Sequence, residues 1–440
     1  MTDVAKPGLR TTASADPWAL ARRYGMWIAI AVAFAVLPKI FTSGSALTMM
    51  SLMGIMIVFA LSYNMLLGQA GMLSFGHAVY YGLGGFLAVH AMNLFVRDAL
   101  PIPIVLIPLV GGLAGLAFGI VFGSVSTRRG GTAFAMISLG LGELVSSSSL
   151  ILRGFFGGEE GINTNRTKLF RVFDLGFGPQ IQVYYLIAAW CLVAMIAMYA
   201  LTRTPLGRMC NAVRDNPERA QFVGYNPQVV RFIAFSLSGF FAGIAGGLAA
   251  INFEIVNSSY VGAEQSGIVL LATFVGGIGN FIGPILGAIL VTYLQVMLSD
   301  VTEVWQLYFG LMFIGIVMFA PGGLAGLLMM DAPLWHARVL HRMIPAYLLA
   351  LGSSLITLVG ASLVIEMGNR LLVKASDGSV MQFLHVRIDA ATPWPWLAAA
   401  ALLVGGFWLC RRSFAIVRGV WNDAFAAAGV KGPPHDRDRR

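Results

Sequence analysis

The chain has 440 residues, of which 58% are hydrophobic and 11% charged, with a formal net charge of +9 and a mean hydropathy of +0.78. An ordinary soluble domain carries roughly a quarter charged residues, so this composition excludes a soluble fold and places the chain in a bilayer. The basic excess does not mark a nucleic-acid-binding module, because Lys and Arg sit at the ends of apolar blocks, where membrane orientation explains them.

The N-terminal segment 1–23 is polar, with Asp3, Lys6, Arg10 and Asp16. It lacks a short apolar core ending in a cleavage site, so it reads as a solvated cytoplasmic tail rather than a removable signal peptide. Apolar spans follow at 24–37, 47–67, 78–96, 103–123, 132–152, 182–201, 232–251, 304–320, 344–365 and 394–410. Crossing a bilayer takes about 20 helical residues, and these blocks predict an all-α fold, a polytopic bundle of transmembrane helices. The stretch Ser266 to Leu298 is too long for one pass. It is broken by Gly276-Gly277-Ile278-Gly279-Asn280 and by Gly283-Pro284.

Loop charge predicts orientation. Segment 202–231 carries Arg203, Arg208, Arg214, Arg219 and Arg231 and is expected in the cytoplasm. Alternation then puts Arg128 and Arg129, and Arg22 and Arg23, inside as well, and Glu254 and Glu264 outside. The C-terminal tail 411–440, with Arg411, Arg412, Arg418, Lys431, Arg437, Arg439 and Arg440, falls inside only if 266–298 crosses an even number of times. Two short helices or a re-entrant hairpin, turning at the glycines, meet that condition. The expected organisation is a core of about ten passes over 24–328, an extension over 329–410 with two further spans, and a basic tail. Both termini are expected in the cytoplasm.

Two glycine series stand at helical spacing: Gly111, Gly115, Gly119 and Gly123, and Gly239 and Gly243 with Gly246 and Gly247. Small residues so spaced let helix backbones approach closely in lipid, either as plain bundle packing or as a moving interface. Glu143 lies near the middle of span 132–152, where a charge is costly and faces protein or water. It serves either a pathway or a buried pair, and His77 is a similar case. The glycine-rich breaks at 68–76 and 276–283 either expose backbone groups to a polar solute or make close-packed turns, since broken helices are tolerated only under protein or a water-filled cavity.

Catalytic signatures are missing. The sequence has no G-x-x-x-x-G-K-[ST] phosphate loop and no H-E-x-x-H. His336 and His341 are one residue too far apart to serve as paired ligands on one helical turn. Cys191, Cys210 and Cys410 show no disulfide or metal spacing.

The cytoplasmic segment 206–224 has a helix grammar of its own. Asn216 suits an N-cap, Pro217 the first helical position, Glu218 the positive end of the helix dipole and Gly224 the residue after the last turn. A short arginine-flanked helix of about seven residues is predicted there, either a surface helix near anionic lipid or a dock for a soluble partner.

The spacing Gly207-Arg208, Ala212, Arg214-Asp215-Asn216, Ala220 and Gly224 resembles the cytoplasmic coupling segment of branched-chain amino acid ABC-transporter permeases. The run Asn64-Met65-Leu66-Leu67-Gly68-Gln69-Ala70-Gly71-Met72-Leu73-Ser74-Phe75-Gly76-His77 is similar to that family's N-L-L-x-G-x-A-G-x-x-S-x-G-H pattern. Arg129-Gly130 with Phe134-Ala135 and Leu139, the loop Gly157-Gly158-Glu159-Glu160-Gly161, the Gly276 to Gly287 run and Ala320-Pro321-Gly322-Gly323-Leu324 resemble its other landmarks, in order. The resemblance covers about residues 45–328 and implies a non-catalytic permease of the bacterial inner membrane.

It also implies partners: a second, related permease, cytoplasmic ATP-binding subunits and a periplasmic solute-binding protein. ATP and magnesium would belong to the ATPases, with no cofactor on this chain. On this resemblance Gly207, Arg208, Arg214, Asp215, Asn216, Pro217, Ala220 and Gly224 are the expected coupling residues. Asn64, Gly68, Gly71, Ser74, His77, Glu143, Gly276, Gly277 and Gly279 are the expected translocation-pathway residues. An ion-coupled secondary transporter, which also uses broken helices, is the competing reading; a membrane enzyme has no supporting motif. The family pattern ends soon after Leu324, and the extension beyond it has no functional reading from sequence.

Overall fold

The computed structural model of the protein describes residues 17–98, 102–169, 176–320, 322–336, 343–372, 378–383 and 386–427. Asp3, Lys6, Arg10, Asp16, Pro321, His341, Lys431, Arg437, Arg439 and Arg440 lie outside the described residues.

The chain is helical along its apolar blocks. Its first helices are α1 (Pro17–Ile40), α2 (Gly44–Asn64), α3 (Ala78–Arg97), α4 (Ile107–Ser126), α5 (Thr132–Ile151) and the single-turn α6 (Arg153–Phe156). The strand β1 (Ile162–Asn163) precedes α7 (Gln180–Arg203), α8 (Pro205–Asp215), α9 (Pro217–Phe222) and α10 (Pro227–Phe253). Then come β2 (Ile255–Val256), α11 (Ala263–Gly276), α12 (Ile282–Val301), α13 (Trp305–Phe319), α14 (Gly323–His336) and α15 (Ile344–Leu372). The hairpin β3 (Val380–Phe383) and β4 (Val386–Asp389) leads into α16 (Pro393–Ala427).

Among the described residues nine helices are long and apolar enough to cross a membrane, or ten if the bent pair Trp305–Met318 and Gly323–Met329 is one span. Gly25–Ile40 and Ala263–Gly276 are shorter apolar helices.

Two boundaries differ from the sequence reading. The stretch 266–298 does divide at its glycines, but only α11, with 14 residues, is short; α12 runs for 20. Gly277 and Gly279 turn the chain with φ of +113° and +87°, a region open to glycine because it has no Cβ. The helices then fold back on each other. A Cβ on Gly287 would strike the Ala272 carbonyl oxygen, and one on Gly276 that of Gly283. The other difference is α16, which does not stop at residue 410. It continues through Arg411, Arg412 and Arg418 for 35 residues in all, about 52 Å at 1.5 Å per residue. That exceeds the roughly 30 Å hydrocarbon core, and no proline follows Pro395 within α16 to break the helix.

Backbone proximity divides the chain into Met1–Val296 and Met297–Arg440, with the boundary inside α12. In the first unit α10 is the central helix, buried along most of its length. It meets α4 along the two glycine series: a Cβ on Gly111 would lie 2.5 Å from the Gly243 carbonyl oxygen, and one on Gly239 would lie 2.8 Å from that of Gly115. A Cβ on Gly246 would collide with the Tyr81 carbonyl oxygen of α3. Three helix backbones therefore share one seam that no side chain separates. In lipid, where apolar burial no longer favours association, such van der Waals contact and interhelical hydrogen bonds hold helices together. The Ser238 hydroxyl adds one such bond, donating to the Ser62 carbonyl at 2.7 Å.

In the second unit α15 and α16 pack antiparallel on Gly360 and Gly406. A Cβ on Gly360 would lie 2.5 Å from the Leu403 nitrogen, and one on Gly406 would lie 2.7 Å from that of Thr357. Leu363, Met367, Ala390 and Ala399 form a core against which Met381, Phe383 and Ile388 of the hairpin pack.

Candidate functional site

The cytoplasmic-type segment holds two helices where the sequence predicts one. Thr204 caps α8, its hydroxyl accepting from the Gly207 N–H at 3.5 Å, and Pro205 occupies the first turn. Gly207, Cys210 and Val213 recur every three residues and form its buried face. Gly207 is needed there, since a Cβ would lie 2.6 Å from the Thr202 carbonyl oxygen. The second helix, α9, follows the expected grammar. The Asn216 side chain accepts from the Arg219 N–H at 2.9 Å, with Pro217 and Glu218 in the first turn.

Gly224, at φ +98°, ends α9 in a Schellman closure. Its N–H donates to Gln221 O at 2.9 Å and that of Tyr225 to Ala220 O at 3.0 Å. Ala220 is buried, whereas Arg208, Asp215 and Arg219 are exposed. The turn after α9 presents apolar groups to solvent: Phe222 is 90% exposed, Val223 72% and Tyr225 45%.

One side chain ties this segment to the membrane helices. Arg214, in the last turn of α8, donates from Nη1 to the Gly68 carbonyl and pairs through Nη2 with Asp215 Oδ1 at 2.9 Å. Gly68 belongs to a π-turn, Met65–Gln69, that closes α2. Such turns break the regular backbone ladder and recur at functional sites. The arginine stem lies over Gly71, where a Cβ would come within 2.7 Å of Arg214 Cγ and where φ is +68°. Asn64, 3% exposed, bridges to the other break. Its Nδ2 donates to Asn280 O and its Oδ1 accepts from Gly279 N–H, both at 3.3 Å. The structure thus brings Arg214, Gly68, Gly71, Asn64 and Gly279 into one network, with Gly276 and Gly277 in the same turn.

Ser74 and His77 form a separate, closed cluster. Both are 1% exposed. The His77 ring stacks on Phe59 and meets Tyr63 edge-on, and the Tyr63 hydroxyl donates to Ser74 O at 3.0 Å. His77 Nε2 lies 3.0 Å from Ser62 Oγ. That hydroxyl already spends its single proton on Phe59 O at 2.7 Å, so Nε2–H is the donor and Nδ1 carries the lone pair. The backbone at the end of the 68–76 break is therefore tied to neighbouring helices: Phe75 N–H donates to Ser138 Oγ at 3.1 Å and Ala78 N–H to Ser266 Oγ at 3.0 Å. Glu143 stands apart from both clusters. It is exposed on α5, with no ion pair among the described residues.

The residues carrying these networks lie inside a recognised family region. The family model described as branched-chain amino acid transport system, permease component, matches residues 45–321. The chain belongs to this permease family. The permease is 28% identical over 294 residues to the high-affinity branched-chain amino acid transport system permease protein LivM of Escherichia coli K12, covering 61% of this chain and 67% of that protein. It is 24% identical to the corresponding protein BraD of Pseudomonas aeruginosa, covering 61% and 90%, and 23% identical to the ribose import permease protein RbsC of Haemophilus influenzae, covering 64% and 85%. No solved structure matches the permease.

The permease also holds a fastening that the sequence reading missed. Arg166 spreads its guanidinium over the end of α10, donating to Ile251 O and Asn252 O at 3.1 Å, to Phe177 O at 2.9 Å and to Gly178 O at 3.2 Å. A cation at a helix C-terminus offsets the unpaired carbonyls there. The same loop pairs β1 with β2. Nothing local distinguishes Arg166 from other loop arginines, because the α10 carbonyls it reaches lie 85 and 86 positions away in the chain.

Burial raises the Cys210 thiol to about 11. Thiolate is the reactive form, so a maleimide at neutral pH is expected to leave Cys210 of the folded permease unmodified and to label it after denaturation. Mass spectrometry of the two digests checks this. Rapid labelling in the folded protein would mean that α8 does not stay seated.

Proposed function

We propose that this permease is the membrane-spanning subunit of an ATP-driven importer for branched-chain amino acids or related small polar solutes. The observation that carries the reading is the Arg214 bond to Gly68. It joins an exposed helical segment directly to a broken membrane helix, so movement of α8 and α9 pulls on the backbone at Gly68 and, through Asn64, on the turn at Gly279. A secondary transporter has no use for that lever. The exposed apolar tip Phe222, Val223 and Tyr225, with Arg219 one turn earlier on α9, suits a groove on a cytoplasmic ATP-binding subunit, which would hold ATP and magnesium.

The importer would contain a second related permease and receive solute from a periplasmic binding protein, in a bacterial inner membrane with both termini of this chain in the cytoplasm. Glu143 fits this assembly. A carboxylate at membrane depth is costly against lipid, so the α5 face that bears it would turn toward the second permease and the solute path between them. Relatives are named for branched-chain amino acids, ribose and autoinducer 2; the family description favours the first.

Co-purification tests the dock. Wild-type permease expressed with its ATP-binding subunit is expected to retain it, and Phe222→Asp to lose it while remaining monodisperse. If neither form retains an ATP-binding subunit, the importer reading fails and ion-gradient-driven uptake by the chain alone becomes the reading to test.

A further inference from the structure

The second unit lies largely beyond the residues 45–321 shared with the family. It encloses a cleft of about 390 Å³ between the end of α12, the last turns of α15 and strand β3. Glu366, Asn369 and Arg370 line it from α15. At spacings of three and four residues they project from one helix face. Glu303 comes from the α12–α13 connection and Gln382 from β3, while Met381 and Phe383 add apolar wall.

The walls are held by packing rather than by loose loops. Met367 is fully buried beneath the hairpin. Trp396 Nε1 donates to Ala390 O at 2.9 Å, and Ala390 N–H to Ser379 O at 2.9 Å. The Tyr308 hydroxyl donates to Glu366 Oε1 at 3.1 Å, which orients that carboxylate.

We propose that this cleft binds a small zwitterion with an apolar side chain, a neutral α-amino acid. Its ammonium group is held by Glu366 and Glu303, its carboxylate by Arg370, and its side chain lies on Met381 and Phe383. A guanidinium has several N–H donors and a carboxylate several lone pairs, so these groups take a ligand alongside partners they already have. The volume lies within the roughly 300–1,000 Å³ of small-molecule pockets, which combine apolar wall with a few placed polar groups. With two carboxylates and one guanidinium in its lining, the cleft disfavours a simple anion, and the single guanidinium suits a ligand bearing one carboxylate. The ligand class is read from the cleft's own charges, so the inference goes beyond the import reading and does not depend on it.

The test is equilibrium binding of radiolabelled L-leucine to the full-length permease in lipid nanodiscs, without ATP or partner subunits. Wild type is expected to bind saturably, and Arg370→Gln and Glu366→Gln each to weaken binding by about tenfold or more, the loss expected for a charged hydrogen bond. Leucinamide keeps the ammonium and lacks the carboxylate. It is expected to compete poorly on wild type and no worse on Arg370→Gln, which tests the Arg370 pairing without relying on a variant's fold. Absence of saturable leucine binding overturns the proposal, as does binding that neither substitution changes, or equal competition by leucinamide and leucine on wild type. ATP-binding-subunit capture is read in a separate assay, so failure of either result leaves the other standing.

Discussion

Leucine in place of Gly246 is expected to prevent assembly of the helix bundle. The first added carbon would collide with the Tyr81 carbonyl oxygen, and the Gly85 nitrogen would lie 2.9 Å from that carbon on the same helix. Both obstacles are backbone, so neither rotates away. Relief requires α10 to move from α3, and α10 also rests on α4 through Gly239, Gly243 and Gly247. Overpacking of this kind costs about 3 kcal/mol, and the seam has no apolar driving force in lipid to offset it. The expected result is loss of the monodisperse peak in size-exclusion chromatography after mild heating. Gly140→Leu is the matched control: a Cβ there meets nothing within 4 Å, and its chromatogram is expected to match wild type. Equal behaviour of the two variants would mean that the seam is not what holds these helices.

Alanine in place of Arg214 is expected to separate ATP hydrolysis from transport. Arg214 is the side chain that reaches from α8 to the π-turn, and a hydrogen bond from a charged donor contributes about 1.5–3 kcal/mol. Losing it corresponds to roughly a tenfold to hundredfold change. Uptake by the assembled importer is therefore expected to fall by at least about tenfold, while the ATP-binding subunit is still captured through Phe222 and its neighbours, which the substitution leaves in place. ATPase activity is expected to persist without matching uptake. Asp215→Ala serves as comparison. Asp215 is exposed and, among the described residues, pairs with Arg214 at the surface, where such pairs contribute little, so uptake should change little. Uptake unchanged in Arg214→Ala would remove the lever from the mechanism.

The sequence alone placed the helices because a bilayer makes that problem one-dimensional. A span needs an uninterrupted apolar block with its backbone bonds satisfied internally, and both conditions are written in consecutive residues. Asn216, Pro217 and Gly224 were legible for the same reason: capping acts between residues a few positions apart. The glycine repeats could be read as a close-packing face, though not which helices would meet there.

Helix α8 was missed because Gly207, Cys210 and Val213 bury a face that is neither strongly apolar nor long, and only contact with the bundle makes it a face. The extent of α16 was underestimated because hydropathy ends where the arginines begin, while the helix does not. Tertiary structure alone decided that Arg214 reaches Gly68, 146 positions earlier, and that Asn64 bridges to Gly279, 215 positions later. It alone decided that His77 is enclosed while Glu143 is exposed. Both residues sit in apolar surroundings of similar appearance in sequence. What separates them is the direction each side chain takes once the helices are packed, and that direction is set by distant backbones fitting together, which no local pattern records.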